Sequence, residues 1–148
     1  MKTKSYYSLA TLLVTLGTAA CVQAASTIQF SATSYTVAES AGAAALTVQR
    51  TGDSNTVVGV DFITADGTAT NGLKYAAVSG TLAFGAGETN QTIVVPILNN
   101  GLVEGTKNFQ VLLRNPNGGA VLGTRTNVLV SITDNDSPLK VEFASYEA

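Results

Sequence analysis

The sequence has no histidine, no tryptophan and a single cysteine, Cys21, among its 148 residues. The lack of histidine excludes His-based acid–base catalysis and most zinc sites. One cysteine cannot form an internal disulfide, so stability must come from buried apolar side chains or from bound metal. Basic residues are also few, with 8 Lys and Arg against 10 Asp and Glu. This balance argues against nucleic acid as a partner, because phosphate binding needs clustered basic residues.

The first 24 residues have the pattern of a secretory signal peptide. Lys2 and Lys4 precede an uncharged apolar stretch over residues 9–20, and small residues end the segment at Ala24. The apolar stretch is shorter than the ~20 residues of a membrane-spanning helix. We therefore predict a signal peptide over 1–24 and an exported protein, secreted or at the cell surface. A buried N-terminal helix is the alternative.

A second form of export involves the cysteine. Residues 18–21 (Thr-Ala-Ala-Cys) are similar to a bacterial lipoprotein box, although Thr18 stands where leucine is usual. Lipid anchoring through Cys21 is therefore a minority alternative to cleavage after Ala24. Loss of the two N-terminal lysines would change the net formal charge from −2 to −4. The resulting negative charge is compatible with cations as partners.

From Thr27 onward, apolar residues alternate with polar ones at period two, and no window sustains a helical apolar stripe. Runs rich in β-branched residues are bounded by Gly, Asn, Asp and Ser, which predicts short strands and turns. Pro96 falls within the fifth run, so that strand is predicted to be an edge or to carry a bulge. We predict an all-β fold over 26–136, a seven-stranded immunoglobulin-like antiparallel β-sandwich. The predicted strands cover 28–37, 43–50, 57–64, 79–84, 91–98, 108–114 and 126–133.

The C-terminal residues 137–148 differ from the module before them. Ser137-Pro138 is typical of a linker, and residues 141–146 are similar to residues 28–35 at an offset of 113 positions. We therefore predict a linker followed by the start of a second, truncated module.

Acidic residues follow the odd-numbered predicted strands. In a sandwich of successive antiparallel strands, these positions lie at one end of the module. Several carboxylates at one end repel one another unless a cation binds them, and Ca²⁺ prefers six to eight oxygen ligands. The alternative is that acids are common in loops and that Asp-Asn-Asp simply stops a strand. The predicted metal ligands are Glu39, Asp66, Glu104, Asp134 and Asp136.

The segment from about Thr27 to Asp136 resembles a Calx-beta domain, the module of sodium–calcium exchanger regulatory loops and of many surface proteins. This resemblance implies an immunoglobulin-like sandwich, often in tandem, with calcium at one end in the calcium-binding members. It also implies that the five predicted carboxylates stand at ligand positions. The motifs that carry it are YTVAE at 35–39, VQRTG at 48–52, TADGTA at 64–69, LAFGAGET at 82–89, NFQVLL at 108–113 and VSITDND at 130–136.

The sequence departs from the family pattern at four positions, and each change removes negative charge. Lys74 and Lys107 stand where acids are usual, and Asn100 and Asn135 replace acidic residues. We therefore expect one or two calcium ions at most, bound weakly, with Kd toward the ~10⁻⁴–10⁻³ M of extracellular modules.

Two functions remain open at this stage. The first is a non-catalytic, calcium-binding structural or adhesive module whose ion stiffens the junction to a neighbouring Calx-beta-like repeat. The second is a metal-free β-sandwich that acts as a spacer or binds an unknown protein partner within a larger exported protein. An enzyme is not expected, because no base partners the serines and threonines and no phosphate-binding glycine loop precedes a helix.

Overall fold

The computed structural model describes residues 24–138, so the predicted signal peptide (apart from Ala24), the Cys21 alternative and the repeat after Pro138 lie outside the described residues. Within this range the chain forms nine strands and one short 3₁₀ turn, Glu39–Ala41. No helix in the described part of the chain is long and apolar enough to cross a membrane. The strands are β1 Thr27–Phe30, β2 Ser34–Ala38, β3 Ala43–Thr51, β4 Val58–Asp66, β5 Ser79–Phe84, β6 Asn90–Pro96, β7 Lys107–Asn117, β8 Val121–Leu122 and β9 Asn127–Thr133.

The strands form two packed sheets, which confirms the all-β sandwich. One sheet has the order β6-β3-β1-β8 and the other the order β2-β9-β7-β4-β5. Most neighbours are antiparallel, but β1 pairs with β8 and β2 with β9 in parallel. Pro96 lies on the edge strand β6, where its missing N–H leaves no gap in a central ladder. The edge position predicted for this proline is confirmed.

The strand count differs from the predicted seven because the first predicted strand is two. β1 and β2 are separated by a bend at 31–33 and belong to different sheets. The apolar side chains change phase at this bend, from the even positions Ile28 and Phe30 to the odd positions Tyr35 and Val37. This break in the period-two pattern was a sign in the sequence that the run contains two strands. The two-residue β8 is too short to have a pattern of its own.

Inward side chains of both sheets form one core that includes the aromatic residues Phe30, Phe84 and Phe109. Tyr75, from the connection between β4 and β5, stacks on Phe109 with ring centroids 4.2 Å apart and planes 9° from parallel. Each buried Val, Leu, Ile or Phe side chain contributes about 1.5–3 kcal/mol. The core therefore reaches from the sheets into the connection that carries Tyr75.

Parallel pairing of β2 with β9 brings two acidic turns together. Ala38 is aligned with Thr133 at the last position of this ladder. Parallel strands end at the same edge, so the residues that follow, Glu39 and Asp134, emerge side by side. The same end of the sandwich receives Asp66, the last residue of β4.

At the opposite end a buried arginine joins three segments. Arg50 is 2% exposed, and its Nε donates to Ser26 Oγ at 2.6 Å and to the Asp53 carbonyl at 3.0 Å. Its NH1 group donates to the Gly85 carbonyl at 3.3 Å. All of these acceptors are neutral oxygens, so this buried cation holds backbone and hydroxyl groups rather than acids.

Gly67, directly after β4, provides a test of how closely the loop that follows Asp66 packs on β7. A Cβ atom at Gly67 would lie 2.5 Å from the backbone oxygen of Asn108, and that oxygen already accepts from Ala69 N at 2.7 Å. We expect Gly67→Ala to lower the free energy of unfolding by about 1–3 kcal/mol, because the β4–β7 contact must open. Urea denaturation measures this.

Gly105→Ala is the matched control, since nothing lies within 4 Å of a Cβ built there. It should leave stability unchanged or raise it by up to about 1 kcal/mol through reduced freedom of the unfolded chain. Equal effects of the two substitutions would contradict the close approach of Gly67 to β7.

Candidate metal centre

Three carboxylates converge where β2 and β9 end. Glu39, Asp134 and Asp136 each offer an oxygen, and these oxygens lie within 4.8 Å of one another. Glu39 is 2% exposed in the 3₁₀ turn, whereas Asp134 and Asp136 are half-buried after β9. Three like charges this close are unfavourable without a positive charge among them.

Asp134 shapes its own loop by accepting two backbone hydrogen bonds. Its Oδ1 accepts from Asp136 N at 2.9 Å, and its Oδ2 accepts from Glu104 N. A carboxylate that accepts from the backbone two residues on forms an Asx turn, which here directs the side chain of Asp136 back toward Asp134. Asn135, between the two acids, remains exposed.

The donor set fits a hard cation. Asp136 Oδ2 is buried and has no hydrogen-bond partner among residues 24–138. A buried acceptor without a partner costs about 1–3 kcal/mol, more when it is charged, and a bound cation would remove this cost. All three candidate ligands are carboxylate oxygens, which suit calcium rather than zinc or copper.

A lysine side chain reaches the same cluster. Lys74 Nζ lies 3.1 Å from Glu39 Oε1 and also forms a salt bridge with Glu104 Oε2. Its side chain is 8% exposed. Breaking a buried pair by removing one partner typically costs about 3–5 kcal/mol, so this contact is part of the site's structure.

The connection between β6 and β7 closes over these groups. Asn100 donates from its backbone N to Glu39 Oε1 at 3.2 Å and from Nδ2 to Glu104 Oε2 at 3.5 Å. Its own Oδ1 accepts from Leu102 N at 2.8 Å. The asparagine therefore holds this connection against Glu39, and it links to Glu104 within the same connection, by donating to carboxylate oxygens.

Asp66 lies outside the group of three. It is exposed, and its Oδ1 accepts from Tyr75 OH at 2.5 Å and from Asn71 N at 2.9 Å. β7 lies between β4 and β9, and two strand spacings are about 10 Å. Burial and the hydrogen bond to this carboxylate raise the pKa of Tyr75 to about 12.

The structure thus brings Glu39, Asp134 and Asp136 together, joins Glu104 to them through Lys74 and a backbone hydrogen bond, and leaves Asp66 bound to Tyr75. The sequence marked Lys74 only as a departure from the family pattern. The contact of Tyr75 with Asp66 had no sequence signal, because it depends on how the 67–75 loop returns to β4.

Tyr75→Phe tests the link between Tyr75 and Asp66. The folded protein keeps the Tyr75 phenol protonated to about pH 12, whereas an unfolded tyrosine ionises near pH 10. Between these values the unfolded state binds fewer protons, so stability falls as pH rises. We expect this alkaline loss, measured by urea denaturation from pH 9 to 12 without calcium, to be smaller in Tyr75→Phe. The same loss of stability with pH in both proteins would contradict the raised pKa of Tyr75.

Comparison with known proteins identifies the module. The sequence model of the Calx-beta domain matches residues 22–136. Sodium/calcium exchanger 1 of Canis lupus familiaris is 42% identical over 91 residues, which cover 61% of this chain and 9% of the exchanger. The extracellular matrix organizing protein FRAS1 of Mus musculus is 35% identical over 123 residues, which cover 80% of this chain and 3% of FRAS1. The chain therefore spans a small part of these relatives.

Among solved structures, the apo-form Calx CBD1 domain superposes with a TM-score of 0.73 and 30% identity, covering 76% of this chain and 99% of that one. A structure described as the calcium binding domain CBD12 of CALX1.1 matches with a TM-score of 0.71 and 31% identity, covering 74% of this chain and 46% of that one. From the match over residues 22–136 and the shared sandwich, the chain belongs to the Calx-beta domain family.

Proposed function

We propose that this chain is a non-catalytic, calcium-binding structural or adhesive module of an exported protein, with Glu39, Asp134 and Asp136 as the ligands of one ion. The observation that carries the proposal is the convergence of these carboxylates, together with the buried Asp136 Oδ2 that has no hydrogen-bond partner within residues 24–138. When bound, calcium would offset two of the three negative charges and take further oxygen ligands from the backbone, from Asn side chains and from water.

The comparisons support this proposal in two ways. A solved relative at 31% identity carries the description calcium binding domain, and the exchanger relatives transport calcium by name. FRAS1 is named as an extracellular matrix organizing protein, which agrees with export and an adhesive role. The matched segment is a small part of each long relative, so transport activity is not carried over to this chain.

The position of the site suggests what the ligands do mechanically. Glu39 follows β2, and Asp134 and Asp136 lie between β9 and Ser137-Pro138, where the chain leaves the sandwich. Because one ligand follows β2 and two follow β9, a bound ion would tie the segment that leaves β9 to the body of the module. Holding this exit would restrict bending between the module and a neighbouring repeat.

Exposed apolar residues near the same end favour the second candidate, a metal-free spacer that binds a protein partner. Leu73, Leu102 and Val103 are 69%, 62% and 56% exposed. Leu73 and Leu102 line an open cavity of about 340 Å³ together with Lys74 and Lys107. Apolar side chains around a cavity are typical of contact surfaces.

Calcium titration of the purified chain, followed by melting temperature, separates the two candidates. An ion that binds only the folded state at tenfold its Kd stabilises by about 1.4 kcal/mol. For a domain of this size we expect a rise of several degrees at 10 mM CaCl₂ relative to EDTA, and a smaller rise with MgCl₂. An unchanged melting temperature in 10 mM calcium would favour the metal-free module.

Asp136→Asn tests the proposed ligand set. Its Oδ2 makes no hydrogen bond within the described residues, so the amide should preserve the fold while removing a charged ligand. We expect the calcium-induced rise to fall to less than half, and the melting temperature in EDTA to stay the same or rise because one of three repelling charges is removed. Asp53→Asn at the opposite end is the control, since its Oδ1 can still accept from Asn55 N. Equal calcium responses of the two variants would exclude Asp136 as a ligand.

A further inference from the structure

We propose that the ammonium group of Lys74 is a built-in cation of the acidic end, which takes the position of a second metal ion. This inference rests on the calcium site proposed above. It follows that the module binds one calcium ion rather than two and keeps its fold without calcium.

The first support is burial with two acidic partners. The Lys74 side chain is 8% exposed, and its Nζ lies between Glu39, 2% exposed, and Glu104, 27% exposed. Lysine is almost never fully buried unless it is paired, and its ammonium group carries three donors. The lysine ammonium therefore lies between two carboxylates and offsets their charge.

The second support is that the two oxygens of the Glu39 carboxylate have different contacts. Both Lys74 Nζ, at 3.1 Å, and Asn100 N, at 3.2 Å, contact Oε1 of this carboxylate. Oε2 of Glu39 takes part in neither contact. One carboxylate can therefore face the lysine with one oxygen and the Asp134–Asp136 group with the other, so that two cation positions share Glu39.

The third support comes from the other buried cation of the sandwich. Arg50 is 2% exposed, and its Nε and NH1 donate to the neutral oxygens of Ser26, Asp53 and Gly85, while its NH2 has no partner within residues 24–138. Burial of a cation in this fold therefore does not by itself require acids. Lys74 differs from Arg50 in that both of its partners are carboxylates, so its positive charge offsets negative charge at this end.

Two consequences follow for calcium. Without the ion, Lys74 already offsets the repulsion around Glu39 and Glu104, so the end of the sandwich does not depend on metal to fold. With the ion, the ammonium group repels a divalent cation a few Å away in a poorly screened environment. Lys74 therefore limits both the number of ions and their affinity.

Lys74→Met tests this inference, because methionine keeps most of the length and apolar volume and removes the charge. In EDTA we expect a lower melting temperature, since Glu39 loses its cation. In calorimetric titration with CaCl₂ we expect two ions instead of one and roughly tenfold or greater tightening of calcium binding. Lys107→Met, from the same cavity, should keep wild-type stoichiometry and stability in EDTA.

The outcomes separate this inference from the proposed function. If the unaltered chain binds one ion and Lys74→Met binds one ion with the same affinity, Lys74 is a structural residue only and the inference is overturned. If the unaltered chain binds none but Lys74→Met gains calcium binding, the proposed function fails while the built-in cation is supported.

A measurement on the unaltered protein covers the case in which Lys74→Met does not fold. Lysine labelled with ¹⁵N at Nζ should give one slowly exchanging ammonium signal in EDTA, assigned by its loss in Lys74→Arg. We expect this signal to persist at saturating calcium, because the lysine has its own position. Its disappearance on calcium addition would mean that the ion displaces Lys74, which contradicts the inference.

Discussion

Repulsion among carboxylates is the constraint on which one end of this sandwich depends. The parallel ladder of β2 and β9 places Glu39 beside Asp134, and the Asx turn after β9 adds Asp136. Hydrogen bonds from the backbone of Glu104 and Asn100 relieve part of this charge. Lys74 supplies a positive charge beside Glu39 and Glu104, so the packing of this end and its charge balance depend on the same few side chains.

The buried cations at the two ends of the module have different kinds of partners. Arg50 joins the start of the chain to two turns through neutral oxygens, which closes the sandwich without reference to any ligand. Lys74 instead joins acids from two connections, and Asp136 Oδ2 beside this group is left without a partner in the described residues. Each end leaves one buried polar atom without a partner in the described residues: the NH2 donor of Arg50 at one end, and at the other an acceptor that suits an external cation.

Much of the architecture was predictable because strand patterning is local. Alternation of apolar residues predicted the sandwich and most strand positions, and Pro96 predicted the edge strand. The change of sheet between β1 and β2 was missed although the sequence carries a sign of it, since the apolar positions shift from Ile28 and Phe30 to Tyr35 and Val37, out of phase by one residue. Counting the predicted strands placed five acids at one end of the sandwich. It could not show that the acids after β2 and β9 are neighbours, whereas Asp66 on β4 lies two strands away from β9.

The sequence alone determined the family, the all-β class, the absence of histidine and of an internal disulfide, and the presence of acids after the first, third, fifth and seventh of the predicted strands. Only the tertiary structure decided which acids share a site, that Asp66 binds Tyr75, and that Lys74 stands between Glu39 and Glu104. The physical reason is that patterning and composition act through neighbours along the chain. Electrostatic interactions act through distances of a few Å between segments that only folding brings together.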